Sequence, residues 1–424
     1  MTLAELGVML YGADVGRLIR TPRGVTFVAS PEALERYGFG STVLSLALPL
    51  DAEPAEPRRT EAFFGGLLPE GRRLDELIQA RPGLRRGDLL GLLAAVGGDV
   101  AGSLVLPGPP VTELGPLLSP DAVVAEVGAP SQYLAGGGSA AAGVQPKVAL
   151  GRSSEGWHAA RDGHPSTHLL KPVPPDARRD AHAQVWVMHL AREVGLIAYD
   201  VWLEEFGDVP AIVVERYDRE VHGMSVTRRH QEDAAQALSL AWEGDQKFEW
   251  AGAGASYRAI AGLLDRDRAV SATSTSDRER LLAQLVFRTL IGDTDGHAKN
   301  HALLHDERGS VRLSPLYDAT PVVVYGSGAV LALEVDGQRL LSHVGAEQMV
   351  REAERWGIAA GTAREVVLDL TARVLDAART LPAPVEVAAH LPGYVTRAAA
   401  SVLAGGPAGL GLGEFPLLQP IDVV

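Results

Sequence analysis

Cysteine is absent from all 424 residues, which excludes disulfides, thiolate nucleophiles and thiolate metal sites. No run of eighteen apolar residues occurs, so neither a transmembrane helix nor a membrane partner is expected. The opening MTLAELGVMLYGADVG has no basic segment followed by an apolar stretch, and does not look like a signal peptide. A chain without disulfide staples or an export signal is expected in the cytoplasm. Basic charge is in deficit: a formal net charge of −14 argues against whole-surface attraction to nucleic acid or anionic lipid. A Walker A sequence and a G-x-S-x-G elbow are both missing. The twelve His are scattered and Cys is lacking, so a metal hydrolase is disfavoured.

What is present is enough apolar material, 46%, to bury a sizeable core. The length implies two or three domains. Short runs at 6–11, 15–20, 25–29 and 42–50 read as strands separated by Gly and Pro turns. From Glu61 the pattern turns helical and closes on the strand GSLVLPG. The Pro- and Gly-rich stretch 109–130 reads as a junction. Strands are expected at 147–151, 157–160, 166–171, 200–206 and 211–217, with a helix over 179–194. After Arg228 nearly everything reads as helix, clearest at 230–242 and 277–291, with a short β-like pair at 302–304 and 311–313. Helices resume at 346–356, 362–380 and 385–403. The expected division is 1–108, a linker 109–130, a β-rich lobe 131–227 and a helical lobe 228–424. A β-rich half followed by an α-rich half, an α+β arrangement, suits a two-lobed kinase but also many other α+β enzymes.

The segment IGDTDGHAKNHALLHDERGSVRLSPLYDATPVV carries the densest chemistry. Phosphoryl transfer to a hydroxyl needs a carboxylate facing that hydroxyl, and carboxylate or amide oxygens to hold Mg²⁺. Asp295 and Asn300 stand five residues apart after an amphipathic helix, and Asp318 follows the β-like pair. This spacing suits Asp295 as base and Asn300 with Asp318 as metal ligands. His297 and Lys299 lie between them, placed to steady the loop or screen charge. The alternative is an Asp-Gly turn with an Asn cap and an unrelated Tyr-Asp pair.

Four further segments carry weaker signals. GGGSAAAGVQPKVALG reads as a phosphate-cradling glycine loop with Lys147 on the following strand, or as a flexible linker. Lys171 ends the apolar strand THLLKP and suits pairing with phosphates, or is a solvated strand end. VVERYDR places Glu215 and Tyr217 where a hinge would meet adenine; from these residues alone an edge strand with a surface ion pair is the simpler reading. His230-Gln231-Glu232-Asp233 reads as a helix start with acidic first-turn residues.

Together these segments resemble the HipA family, in order and over nearly the whole chain. VGRL, FGSTVLSLALPL, FFGGLLPEG and VGGDVAGSLVL resemble its small N-terminal domain. AGVQPKVAL, THLLKP, VERYDR, HQEDAAQAL, GDTDGHAKNHALL and LSPLYDATP resemble its kinase part. The resemblance implies a two-lobed protein-kinase-like fold preceded by a small β-rich domain. It implies an ATP- and Mg²⁺-dependent serine/threonine-protein kinase, the toxin of a bacterial toxin–antitoxin pair. Asp295 would be the base, and Asn300 and Asp318 the metal ligands. Ala142, Gly143, Val144, Gln145 and Lys147 would form the phosphate loop, Lys171 would contact the nucleotide phosphates, and Glu215 and Tyr217 would flank adenine. His297 and Lys299 would also lie at the nucleotide. The implied partners are a HipB-type helix-turn-helix antitoxin, DNA only through that antitoxin, and a protein target such as an aminoacyl-tRNA synthetase.

Two positions depart from the family pattern. The regulatory Ser expected three residues before Gly143 is Ala140, with Ser139 adjacent as a substitute phosphosite. The Asn-Glu pair expected early in the helix after the lysine strand reads Ala183-Gln184, with Glu193 as another candidate partner. These departures keep two other expectations open: a catalytically weak scaffold acting with its antitoxin in autorepression, and a small-molecule kinase.

Overall fold

The computed structural model describes residues 3–138, 143–264, 276–325 and 329–409, which form two compact units. The first comprises residues 1–174, 202–246 and 302–311; the second comprises 175–201, 247–301 and 312–424.

The first unit opens with a four-stranded antiparallel sheet in the order Gly24–Ala29, Ala13–Thr21, Glu5–Leu10, Leu104–Val105. Alternation dictates its first strand: Leu6, Val8 and Leu10 are buried while Glu5 and Gly7 are exposed. Tyr11 and Gly12 both take positive φ, 50° and 80°, which gives the twist a two-residue hairpin needs. Helices Pro57–Gly65, Gly71–Ala80 and Leu89–Val96 contribute Phe63, Phe64, Leu74, Leu77 and Leu93 to the core under this sheet.

A second sheet in the same unit has the order Gly156–His158, Val148–Ser153, His168–Pro172, Val209–Glu215, Val201–Phe206. Val148, Leu150, Leu170 and Val213 form its core with Val123 and Val127 of helix Pro120–Gly128. The strand carrying Glu215 therefore lies between two others and is not an edge. The ion pair at its exit is buried: Arg216 and Asp218 are 7% and 2% exposed. Both findings correct the expectation of an edge strand with a surface pair.

Two more expectations in this unit fail for one shared reason. Residues 42–50 form no strand, although most are buried. Residues His230–Asp233 form a strand paired with Ala302–His305, not a helix start. The buried loop takes its hydrogen bonds from that strand: Glu232 accepts from Leu46 N (2.8 Å) and Ser45 Oγ (2.6 Å), and the His230 Nε2 meets Leu44 O (2.7 Å). Asp233 then caps the short helix Ala234–Ala237, with Gln236 completing a reciprocal capping box.

The second unit is mainly helical. Asp277–Ile291, Ala360–Thr380 and Leu391–Leu403 form its centre, joined by Arg178–Glu193 and Ala346–Arg355. The helix expected over 385–403 is split into Val385–Ala388 and Leu391–Leu403, because Pro392 fits only the first turn of a helix. A hairpin of Val330–Val335 and Gln338–Leu340 interrupts the expected helical run. Among the described residues no helix is long and apolar enough to cross a membrane.

Candidate active site

In the second unit the chemistry gathers where helix Asp277–Ile291 ends. Ser276 caps its start by accepting from Glu279 N. Gly292 ends it in the left-handed conformation, φ 75°, and a Cβ there would stand 2.9 Å from the Tyr394 hydroxyl. The chain leaves this cap directly into Asp293-Thr294-Asp295.

Arg288, on the last turn of the helix, is buried and organises the chain beyond the cap. Its guanidinium pairs with Asp293 and donates to Asn300 O (3.1 Å) and Tyr317 O (2.8 Å). Burial opposes its charge, yet Asp293 carries the balance and its pKa lies above the ordinary value. One planar fork thus fixes both the loop 293–300 and the segment leading to Asp318. Asp293 Oδ1 in turn accepts from Asp295 N (3.0 Å). The Tyr317 hydroxyl donates to Lys299 O (2.5 Å), and the Tyr199 hydroxyl to Leu316 O (2.7 Å).

Asp295, Asn300 and Asp318 share one site within this unit. Asn300 Nδ2 donates to Asp295 O (3.0 Å), which leaves the amide oxygen as its acceptor atom. Asp295 and Asp318 are solvent-accessible, whereas Asn300 is buried. Surrounding protein mass, then the charge of Asp293, push the Asp295 carboxyl up to about 6; Lys247 opposes this, and Asp318 adds to it. Asp295 itself stays open to water, so this is the crowding of an accessible group, not of a core carboxyl. Asp318 holds φ 50°, a left-handed conformation uncommon for a residue with a side chain. Gln184, on helix Arg178–Glu193, donates to Asp318 Oδ1 (3.3 Å).

Among the described residues no group of three or more His, Asp or Glu is placed to hold a metal. The Asn300 and Asp318 donors are hard oxygens, and a site with one carboxylate fits Mg²⁺, which keeps waters and takes further ligands from phosphates. His297 and His301 stand four residues apart, a spacing that on a helix would suit a metal. Here the short 3₁₀ turn Ala298–Asn300 separates them. His297 N instead donates to Asp295 O (2.7 Å), and the His301 ring packs edge-on to Tyr257.

Of the residues expected at a nucleotide, His297 and Lys299 belong to the second unit and the others to the first. Gly143 takes φ 112°, and a Cβ there would lie 2.9 Å from Lys147 Nζ, so the glycine admits the ammonium. Its backbone pairs with Pro69, and its carbonyl accepts from Glu70 N (3.3 Å). Val144 and Gln145 are exposed and Lys147 is partly buried. Lys171 is buried on the strand His168–Pro172, opposite Ile212, and Glu215 stands opposite His168 on the neighbouring strand. The Tyr217 hydroxyl donates to Gln231 Oε1. Ser139, Ala140 and Ala142 lie outside the described residues.

Sequence reasoning missed Arg288 and Lys247 at the candidate site. It also missed a buried ionic cluster beyond Glu215, in which Arg216, Arg219 and Arg228 surround Asp99 and Asp218. The only available signal was the density of Arg and Asp in VERYDR.

Comparison with known proteins shows the family and the fold. A model of the HipA N-terminal domain matches residues 6–106, and one of the HipA-like C-terminal domain matches residues 139–378. The protein Y4mE of Sinorhizobium fredii is 32% identical over 400 residues, covering 89% of this chain and 91% of that one. The serine/threonine-protein kinase toxin HipA of Shewanella oneidensis is 28% identical over 303 residues, 66% of this chain and 67% of that one. The solved structure of a Shewanella oneidensis HipA, in complex with HipB and operator DNA, matches with a TM-score of 0.78 at 23% identity. It covers 99% of this chain and 100% of that one, a likeness of fold.

Proposed function

The chain belongs to the HipA family of serine/threonine-protein kinases, and from that premise we propose that it transfers the γ-phosphoryl group of ATP to a Ser or Thr of a protein. The observation that supports this reading is the grouping of Asp295, Asn300 and Asp318, whose loop and segment Arg288 ties together through the carbonyls of Asn300 and Tyr317.

In the transfer, the acceptor oxygen forms a bond to the γ-phosphorus, and the bond from that phosphorus to the bridging oxygen breaks, releasing ADP. The hydroxyl proton passes to a carboxylate oxygen of Asp295. A group titrating near 6 is ionised at neutral pH yet retains useful basicity. The Asn300 amide oxygen and the Asp318 carboxylate would hold Mg²⁺, which when bound neutralises charge on the phosphates. In the first unit, Lys147 and the loop starting at Gly143 are assigned to the phosphates together with Lys171, and Glu215 and Tyr217 to adenine. His297 and Lys299 are assigned to the loop that serves the nucleotide. The residue boundaries 1–108, 109–130, 131–227 and 228–424 remain our division by function.

Further proposals rest on likeness. A HipB-like antitoxin is proposed as partner because the matching fold was solved with HipB. DNA would be reached through that partner, and an aminoacyl-tRNA synthetase is proposed as target by family resemblance.

Incubation with labelled ATP, Mg²⁺ and bacterial extract tests the reading. We expect label on one or few proteins, with Asp295→Ala reducing it on the order of 10²-fold or more. Equal labelling by both proteins would remove Asp295 from the role of base, and label on small molecules alone would overturn the protein acceptor.

A further inference from the structure

Large apolar side chains that remain exposed are informative only when something fixes them in place, and Trp250 is such a case. Its indole is 49% exposed. It stacks on Phe248 with ring centroids 5.3 Å apart and an interplanar angle of 18°. Phe248 packs edge-on against His297 of the catalytic loop, centroids 5.2 Å apart. The Lys247 ammonium lies 5.6 Å from the Phe248 ring centre.

The backbone ties the same segment to the same loop. Lys247 O accepts from Ala298 N at 3.0 Å. Between the two aromatics, Glu249 is anchored by accepting from Glu334 N (2.6 Å). Phe248 and Trp250 therefore form a ledge held by both bonds and continuous with the loop that carries Asp295. Nothing in the transfer chemistry uses it.

A small-molecule acceptor needs no such surface, because its hydroxyl is reached at Asp295 alone. A polypeptide lying across the loop extends beyond the base by about 3.3–3.6 Å per residue. Two successive ring contacts separate His297 from Trp250, so the indole lies at most about three extended residues from the His297 ring. Exposed, pre-ordered Trp offers large contact area at low entropic cost, as at many protein-binding hot spots.

Resting on the kinase reading, we propose that Trp250 is a specificity residue. It receives an apolar side chain of a polypeptide substrate about two to four positions from the acceptor Ser or Thr. The ledge thereby selects an extended or locally unfolded protein segment over a free metabolite.

The test uses the full chain with Mg²⁺, labelled ATP and a Ser-centred peptide library randomised at the flanking positions. Wild type, Trp250→Ala, Trp250→Phe and Asp295→Asn are compared. We expect wild type to favour Leu, Ile, Phe or Met at one flanking position. Trp250→Ala should erase that preference and raise KM for the favoured peptide at least tenfold, with kcat changed far less. Trp250→Phe should keep most of it. A preference unchanged in Trp250→Ala would overturn the inference while leaving the kinase reading intact. Labelling of no peptide by wild type, together with no labelled protein in extract, would overturn the kinase reading and the inference with it, whereas undiminished labelling by Asp295→Asn would remove Asp295 from the role of base.

Discussion

Gln184 donates its amide to the carboxylate of Asp318 at 3.3 Å, joining a helix to the acid proposed as a metal ligand across 134 positions of sequence. A neutral donor at this place orients Asp318 without adding charge. Gln184→Glu would set two carboxylates side by side, destabilising the metal-free protein by about 1 kcal/mol, a modest cost because Asp318 is accessible. Mg²⁺ relieves such repulsion, so the variant should gain a larger rise in Tm than wild type when Mg²⁺ and ADP are added. Thermal melts with and without the ion measure this. An equal Mg²⁺ response in both proteins would show that Gln184 does not face the cation site.

The base should set the pH profile. Burial and the charge of Asp293 raise the Asp295 carboxyl to about 6, so the free enzyme carries it protonated below that pH and ionised above. We expect kcat/KM to rise about tenfold per pH unit below 6 and to level off by about pH 7. Stability carries the opposite sign. A raised carboxyl holds its proton more firmly folded than unfolded, so its contribution is full below about 4 and is lost as pH rises through 6. Asp295→Asn should therefore melt slightly higher at pH 8, by no more than about 1 kcal/mol given the solvent access, and the same as wild type near pH 4. A rate profile flat from pH 5 to 8 would dissociate Asp295 from proton transfer.

Local patterns were readable in the sequence, and long-range partnerships were not. The strand holding Leu6, Val8 and Leu10 announces itself by alternation, and the loop 293–300 by packing Asp293, Asp295, His297, Lys299 and Asn300 into eight residues. Arg288 looked like one more polar residue on an amphipathic helix, since its partners Asn300 O and Tyr317 O are backbone atoms that leave no trace in a sequence. The strand His230–Asp233 was misread because its polar side chains serve the buried loop at Leu44 and Leu46, while strand patterns are recognised by apolar faces. Glycines around Gly143 suggested linker and phosphate loop alike; the contact with Pro69 lies more than seventy positions away.

Arg288 should be irreplaceable even by Lys. Its fork reaches Asp293 and two carbonyls at once, which a single ammonium on a flexible stem cannot reproduce. Arg288→Lys leaves buried acceptors unpaired at a cost of about 2–4 kcal/mol. Because those carbonyls fix the loop and the Asp318 segment, kcat should fall at least tenfold. Urea unfolding and steady-state kinetics together check this. A variant with lowered stability but unchanged kcat would restrict Arg288 to a structural part.

The ionic cluster of the first unit should behave as a buried staple. Asp99 accepts from Arg219 (2.9 Å) and Ser166 Oγ (2.6 Å), while Asp218 accepts from Arg216 (2.8 Å) and Gly102 N (2.8 Å). Burial alone would raise both acids, but the neighbouring guanidiniums override it and hold Asp99 well below the usual range and Asp218 at about 2. Groups lowered in this way stabilise the fold above the unfolded pKa near 4, and the stabilisation is lost as pH falls through the folded values. Asp99→Ala leaves Arg216, Arg219 and Arg228 crowded without their shared counter-charge and should cost about 3–5 kcal/mol at pH 7. The gap between wild type and variant should narrow steadily below pH 4 in urea melts. A gap that stays constant from pH 7 to pH 2.5 would mean that the carboxylate charge does not hold the cluster together.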